Sequence, residues 1–451
     1  MLPRSILACL LLLIASGPAR PATDAANAGS LPSFLYTVAK TYEPLAWLHG
    51  ADRFPSGSTI FLSNESGRHP LIPDFAASAD PSVSFDGHKV LFAGKLHQSD
   101  PWQIWEVDLA GGAPRQVTSS PEDCIRPFYL PEDRIVYARR IAGRFAIQAK
   151  ELGSSKTLDL TYTPSNSLPD DVLHDGRILF QSAYPLGTDG NPEIYTVYSD
   201  GSGVESYRCD HGTSRHSAKQ QVSGDTVFAT LHGLARFTSA RAQQIAISVP
   251  RGEYAGDIAE TETGEWLLGW RPDGKASFRL VRWTPGAADL KSALAEQDAN
   301  VIQPVPLAAH ATPNRHPSGL HEWPTANLLC LNAYTSKYQF AAGSIHSVRL
   351  YTRDGSGNPK LLGSASVERD GSFFVQVSGD QPLQFELLDA SGKTLKREAG
   401  YFWARRGEQR FCVGCHAGPE TAPENAVPQI LLKSTTPVDM TATTVQSAGG
   451  N

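Results

Sequence analysis

Between residues 80 and 300 one pattern of polar and apolar positions keeps returning. A turn rich in Asp, Glu and Gly is followed by a run of β-branched and aromatic residues, then a second turn and another alternating run. The unit appears as FDGHKVLFAG (85–94), PEDRIVYARR (131–140), HDGRILFQSA (174–183), SGDTVFATLH (223–232) and ETGEWLLGWR (262–271). From Asp86 to Glu132, Asp175, Gly224 and Thr263 the steps are 46, 43, 49 and 39 residues. A period of this length built only from strands and turns predicts the blades of a β-propeller. Strands also follow the turns, as in QIWEVDLAGG (103–112) and EIYTVYSDGSG (193–203), where side chains alternate between the two faces of a sheet.

Five units need a closing partner. SGSTIFLSNESG (56–67) and TANLLCLNAY (325–334) each read as strands without a full blade around them, and together they are expected to complete a sixth blade, giving a propeller over 35–335. The repeats resemble the TolB-type repeats of exported propellers, with PSVSFDG (81–87) the nearest match. Beyond residue 345 the runs SVRLYTRDGSG (347–357), SASVERDGSFFVQVSGD (364–380) and LQFELLDASGK (383–393) alternate at closer spacing, which predicts a small β-sandwich over 345–403. QPVPLAAHATPNRHPSGLHEWP (303–324) holds five prolines and no periodicity and reads as a connector. The fold class expected is all-β: a propeller of about six blades, a sandwich, a short C-terminal segment (404–433) and a disordered tail (434–451).

The N-terminus changes the setting. Arg4, the ten apolar residues Ile6–Ala15 and the small-residue pattern Ala26-Asn27-Ala28 read as a signal peptide over 1–28, so a periplasmic or secreted protein is expected. Ten apolar residues are about half of a membrane-spanning helix, and no later run is longer, so no membrane span is expected. A net charge of −6 without a Lys/Arg block argues against nucleic acid as a partner. Cys9 lies within the leader, which leaves Cys124, Cys209, Cys330, Cys412 and Cys415.

Chemistry concentrates in Cys412-Val413-Gly414-Cys415-His416. Two thiols at this spacing suit thioether bonds to the two vinyl groups of one haem, and the adjacent histidine then sits under the iron. One covalent haem c is therefore expected, on Cys412, Cys415 and the proximal ligand His416. Structural zinc would want a second Cys/His pair close downstream. A thioredoxin-like dithiol would want a helix after the motif, where AGPETAPENAVP (417–428) is rich in proline. A Cys412–Cys415 disulfide leaves His416 unexplained.

The far side of the iron is left open, with Met440, the only methionine after the leader, and the connector histidines His310, His316 and His321 as alternatives. Cys124 is a further candidate from the propeller side, against the default of a buried thiol. Cys209, His211 and His216 lie close in sequence as a weak metal-site candidate, against the reading of a polar loop. No Gly-x-Ser-x-Gly elbow, phosphate loop or His-Glu-x-x-His run is present.

Residues 369–428, from RDGSFFVQVSGD to CVGCHAGPETAPENAVP, resemble the segment leading into the haem of the hydrazine synthase alpha subunit and of exported propeller proteins related to it, with LLCLNAY (328–334) a weaker match. The resemblance implies a propeller joined to a β-rich domain carrying the haem motif. It also implies a tyrosine iron ligand four residues after the motif histidine. That position is Glu420 here and no tyrosine follows, so His416 keeps the ordinary ligand role. The expected function is haem-based electron transfer or small-molecule redox chemistry with a redox partner protein, in isolation or as a subunit of a larger redox complex. A propeller binding or scaffold module with a structural or sensory haem is the alternative.

Overall fold

A computed structural model of the chain describes residues 32–208, 214–239, 242–415, 421 and 425–441. The expected signal peptide, Cys209, His211, His416, Glu420 and the tail beyond residue 441 lie outside them.

Six antiparallel sheets are arranged in a ring. Blade 1 runs Ala77–Val83, Lys89–Lys95, Gln103–Asp108 and Arg115–Gln116, and blade 2 Cys124–Leu130, Arg134–Ile141, Arg144–Glu151 and Thr157–Asp159. Blade 3 runs Ser167–Val172, Ile178–Tyr184, Asn191–Val197 and Glu205–Ser206, and blade 4 His216–Gln220, Thr226–Thr230, Gly233–Phe237 and Ile245–Ala246. In blade 5 two short inner strands, Glu253–Tyr254 and Ala259–Glu260, both pair with Trp266–Arg271, followed by Arg279–Trp283 and Lys291–Leu294. Each of the five repeated sequence units contributes the second strand of one blade. That strand is buried on both faces, as in Val90-Leu91-Phe92 and Ile178-Leu179-Phe180, because neighbouring blades pack on either side of it. Each such large side chain contributes about 1.5–3 kcal/mol by burial.

Blade 6 closes the ring, and here the structure corrects the sequence reading. Phe34–Ala39, Thr59–Asn64 and Gly67–Pro70 come from the start, but the strand that joins them is Asn300–Pro306, not Thr325–Cys330. The prolines of 303–306 read as a connector in the sequence. They fit because Asn300–Pro306 is an edge strand, where a missing ladder donor is tolerated, and because inner strands of this ring kink at a polar residue followed by proline. Asp80-Pro81, Arg126-Pro127 and Gln303-Pro304 share that dipeptide, and Asp80, Arg126 and Gln303 all have φ between +53° and +56°. Ser217 and Asp257 hold the same conformation in blades 4 and 5.

These kinks turn polar side chains toward the centre of the ring. Arg126 is the hub: its Nη1 donates to both carboxylate oxygens of Asp257 (2.9 and 3.0 Å), its Nη2 to Asp170 (3.0 Å), and its backbone N–H to Asp80 (3.0 Å). Asp80 also accepts from Arg53 at 2.5 Å and from Gln303 at 2.6 Å. Burial at nearby His216 pushes its pKa down to about 4.

The second unit is a two-sheet sandwich, wider than expected. One sheet is ordered Gln409–Cys412, Thr325–Cys330, Phe373–Ser378, Val438–Asp439, and the other Pro359–Ser366, Ser347–Arg353, Gln384–Leu388, Thr394–Arg397. Inward positions alternate along the strands, with Phe373, Val375 and Val377 meeting Val348, Leu350 and Leu387. The first sheet thus recruits a strand expected in the propeller, one expected in the C-terminal segment and one expected in a disordered tail. Residues 434–441 are ordered: Val438 pairs with Val375, and Met440 is 1% exposed in the sandwich core against Gly363.

The connector is laid across the propeller. His310 N–H donates to Phe85 O, Asn314 N–H to His174 O, and the Ser318 hydroxyl to Asp200, while Arg315 pairs with Glu132. It therefore crosses turns of blades 1, 2 and 3. Among the described residues no helix is long and apolar enough to cross a membrane.

Candidate functional site

The segment 401–410 fastens the sandwich to blades 2 and 3 and delivers the chain to the cysteines. Trp403 is fully buried among Leu130, Leu160, Phe180 and Val204 of the propeller, and its indole N–H donates to Gly201 O at 2.8 Å. Arg405 donates through Nε to Asp380 of the sandwich (2.7 Å) and through Nη1 to the carbonyls of Asp159 (3.0 Å) and Asp200, with its guanidinium over the Tyr162 ring. Glu408 accepts from the backbone N–H groups of Arg405 (2.7 Å) and Gly203 (3.2 Å). Arg410 reaches Val204 O. The sequence signal for this clasp is the compact W-A-R-R-G-E-Q-R run, an aromatic anchor followed by three arginines and a glutamate.

From that clasp the chain enters Gln409–Cys412, an edge strand running parallel to Thr325–Cys330, with Cys330 opposite Cys412. The loop that follows is seated on residues 331–335. Leu331 N–H donates to Cys412 O at 2.8 Å. A Cβ on Gly414 would lie 2.0 Å from Thr335 O and 2.8 Å from Asn332 O, so only glycine allows this approach. Cys412 and Cys415 are both half-buried and neither is in a disulfide. Phe411, beside them, is 67% exposed.

Sequence reasoning missed how close Cys330 comes. It is buried in the sandwich core, and the neighbouring Cys415 thiol together with burial holds its pKa well above the usual thiol range. Cys415 packs against the same core. Burial also raises the pKa of Cys412, opposed by the charge of Arg410. The only hint in the sequence was that LLCLNAY and the motif each carry cysteine.

The other candidates are placed elsewhere. Cys124 is 1% exposed in the propeller core, where desolvation pushes its pKa up to about 11, so it does not approach the motif. Met440 is turned into the sandwich core and is not presented as a ligand. His316 stacks on Tyr198 of blade 3 with ring centroids 3.7 Å apart, and its Nδ1 is buried without a hydrogen-bond partner. His310 packs edge-on against Phe85, and His321 stacks on Trp323. Of these three connector histidines, His321 adjoins the clasp, through a backbone bond from its N–H to Gly407 O at 3.2 Å. His216 faces the ring interior beside Ser217. Among the described residues no set of three or more His, Cys, Asp or Glu side chains is arranged to hold a metal ion.

A closed six-bladed ring clasped to a β-sandwich whose edge strand leads into Cys-x-x-Cys-His defines a propeller–sandwich protein with a thiol-bearing loop. Residues 335–417 match the family model of the hydrazine synthase alpha subunit middle domain. The hydrazine synthase subunit alpha of Kuenenia stuttgartiensis is 38% identical over 153 residues, a match covering 32% of this chain and 18% of that protein. In fold, the structure of Kuenenia stuttgartiensis hydrazine synthase superposes with a TM-score of 0.76 over 90% of this chain and 71% of that one, at 18% identity. TolB from Acinetobacter baumannii aligns over 61% of this chain and 66% of its own, with a TM-score of 0.45 and 15% identity. The chain is thus similar in sequence to the middle domain of the hydrazine synthase alpha subunit and in fold to a chain of hydrazine synthase, while the curated match spans less than a fifth of that subunit.

Proposed function

We propose that this protein is an exported monohaem c-type redox protein, with one haem bonded covalently to Cys412 and Cys415 and His416 as the proximal iron ligand. The observation that carries this reading is the pair of half-buried, disulfide-free thiols on a loop whose path requires Gly414, at the end of an edge strand bordered by an exposed apolar side chain. That is a setting in which two thiols can reach a flat apolar group lying against the sandwich. The family match ends one residue after His416 and so includes the whole motif. A bound haem would supply an iron that exchanges electrons or binds small molecules.

The chain's own residues set the environment. Trp403, Arg405 and Glu408 fasten the chain to the propeller just before the strand that leads into the motif. Burial raises the pKa of the Cys412 thiol. A redox partner protein, and a place as a subunit of a larger assembly, belong to the same proposal.

The test is to make the protein in a host competent in haem attachment and denature it. Haem that stays with the chain, and is lost in a Cys412→Ala, Cys415→Ala double variant, is the expected result. Haem that extracts into acidified organic solvent overturns the reading.

A further inference from the structure

We propose that the rim of the ring over blades 4 and 5 is a docking surface for an extended, arginine-bearing segment of a partner protein, which continues there the path that the chain's own connector takes over blades 1 to 3.

The turn from the inner strand of a blade to the next strand has one build in four places. In Ser84–Gly87, Leu173–Gly176, Gln221–Gly224 and Thr261–Gly264 the glycine N–H donates to the carbonyl of the first residue at 2.8–2.9 Å, and the glycine holds φ between +76° and +91°. The turns of blades 3 and 4 are also posed alike. The backbone N–H of His174 donates to Gln220 of blade 4 (2.7 Å), and that of Val222 to Glu260 of blade 5 (2.8 Å).

Two of the four turns carry the connector. The carbonyl of the second turn residue accepts from it, Phe85 O from His310 N–H (2.9 Å) and His174 O from Asn314 N–H (2.8 Å). A Cβ on Gly87 would lie 2.9 Å from Ala309 N, and one on Gly176 2.1 Å from Asn314 O, so these glycines are the seats on which the connector rests. It then leaves the rim. His316 stacks on Tyr198 and Ser318 bonds to Asp200, both in the turn between the third and fourth strands of blade 3.

The other two turns stand open. Among the described residues the carbonyls of Val222 and Glu262 accept no hydrogen bond, and a Cβ on Gly224 or Gly264 would meet nothing within 4 Å. Val222 is 82% exposed, and Glu262 is exposed without an ion-pair partner among the described residues.

The filled seats say what fits the open ones. Free carbonyls on successive turns are met by backbone N–H groups of an extended chain, the mode in which main-chain bonds give affinity and side chains give specificity. From His310 to Asn314 four residues carry the connector across two blade steps, so N–H groups two residues apart, about 7 Å, suit the single step from blade 4 to blade 5. Val222 takes an apolar or proline side chain. Glu262 takes an arginine, as Glu132 of blade 2 takes Arg315 at 3.0 Å in the connector itself. None of this depends on haem.

The experiment mixes the full chain with a synthetic peptide of residues 307–319, the connector's own sequence, bearing a fluorescent label and a photoreactive benzoylphenylalanine in place of His310. Cross-links to 221–225 and 261–265 are expected. In the chain, Glu262→Lys lies on an exposed turn and should weaken binding about fivefold, the scale of one exposed ion pair, and Arg315→Glu in the peptide should restore it. Cross-links confined to 84–88 and 173–177, which report exchange with the chain's own connector, overturn the proposal. So does the absence of cross-links, or an affinity that Glu262→Lys leaves unchanged. A dimer of the chain alone that Glu262→Lys dissolves overturns it as well, in favour of a second copy as the occupant.

Discussion

Two buried arginines hold this molecule together in different ways. Arg126 sits at the centre of the ring and is met by carboxylates from blades 1, 3 and 5. Arg405 sits between the ring and the sandwich, where a single carboxylate, Asp380, is joined by carbonyls of blades 2 and 3 and the ring of Tyr162. The first is a charge network in which Asp170 and Asp257 depend on the hub for their cation. The second relies on neutral acceptors, and Trp403 beside it supplies apolar burial that no charge balance controls. Losing the hub should therefore threaten the whole ring, whereas losing the clasp should free one domain from the other.

The sharpest break is Arg126→Met. It leaves Asp170 and Asp257 without their cation while Asp80 keeps Arg53, and it should lower propeller stability by about 5 kcal/mol, read as a fall in the urea midpoint. An unchanged midpoint would show that the hub is not what ties the blades. Next is Trp403→Ala, expected to cost about 4 kcal/mol, the usual range for a buried aromatic. Its effect should appear as faster hydrogen exchange in 401–410 and along Thr325–Cys330, with the blades protected as before. Equal loosening of blades 4 and 5 would erase the distinction.

Lowering the pH sharpens the same contrast from the ring side. His216 has its pKa pushed down to about 4 by burial, against about 6.5 when unfolded, so the unfolded chain binds the extra proton between those values. Its contribution is complete above pH 6.5 and is lost as the pH falls toward 4. His216→Gln should flatten that decline by up to about 3 kcal/mol in acid-dependent denaturation curves. The smallest effect belongs to the clasp: Asp380→Asn keeps an acceptor for Arg405 but removes the charge, for a loss of about 1–2 kcal/mol that salt should diminish.

Most of the ring could be read from the sequence because each blade carries its turn and its doubly buried strand in one continuous stretch. The closing strand could not be read that way, since Gln303-Pro304 looks like a linker until it is set beside Asp80-Pro81 and Arg126-Pro127. At the site, Cys412 and Cys415 stand out by spacing alone. Cys330 does not, because its place opposite Cys412 depends on the register of two strands about eighty residues apart in the chain. Met440 was misplaced for a related reason: STTPVDMTATT has the composition of a flexible tail, and only the ladder to Val375 and a gap over Gly363 give its methionine a seat.

The closing strand also imposes an order in time. Thr37 bonds to Gln303 across 266 residues, so a chain emerging from its N-terminus must leave the inner edge of Phe34–Ala39 unpaired while five other blades are made. Closing so long a loop is entropically costly and slow compared with pairing inside a blade. The sandwich and its thiols come later still, since the sheet that bears them needs Gln409–Cys412 and Val438–Asp439. During synthesis, then, the platform exists before the cysteines do. A chain stalled before residue 300 should expose the free edge of Phe34–Ala39, which makes that edge the place to look for chaperone capture or for pairing between unfinished copies.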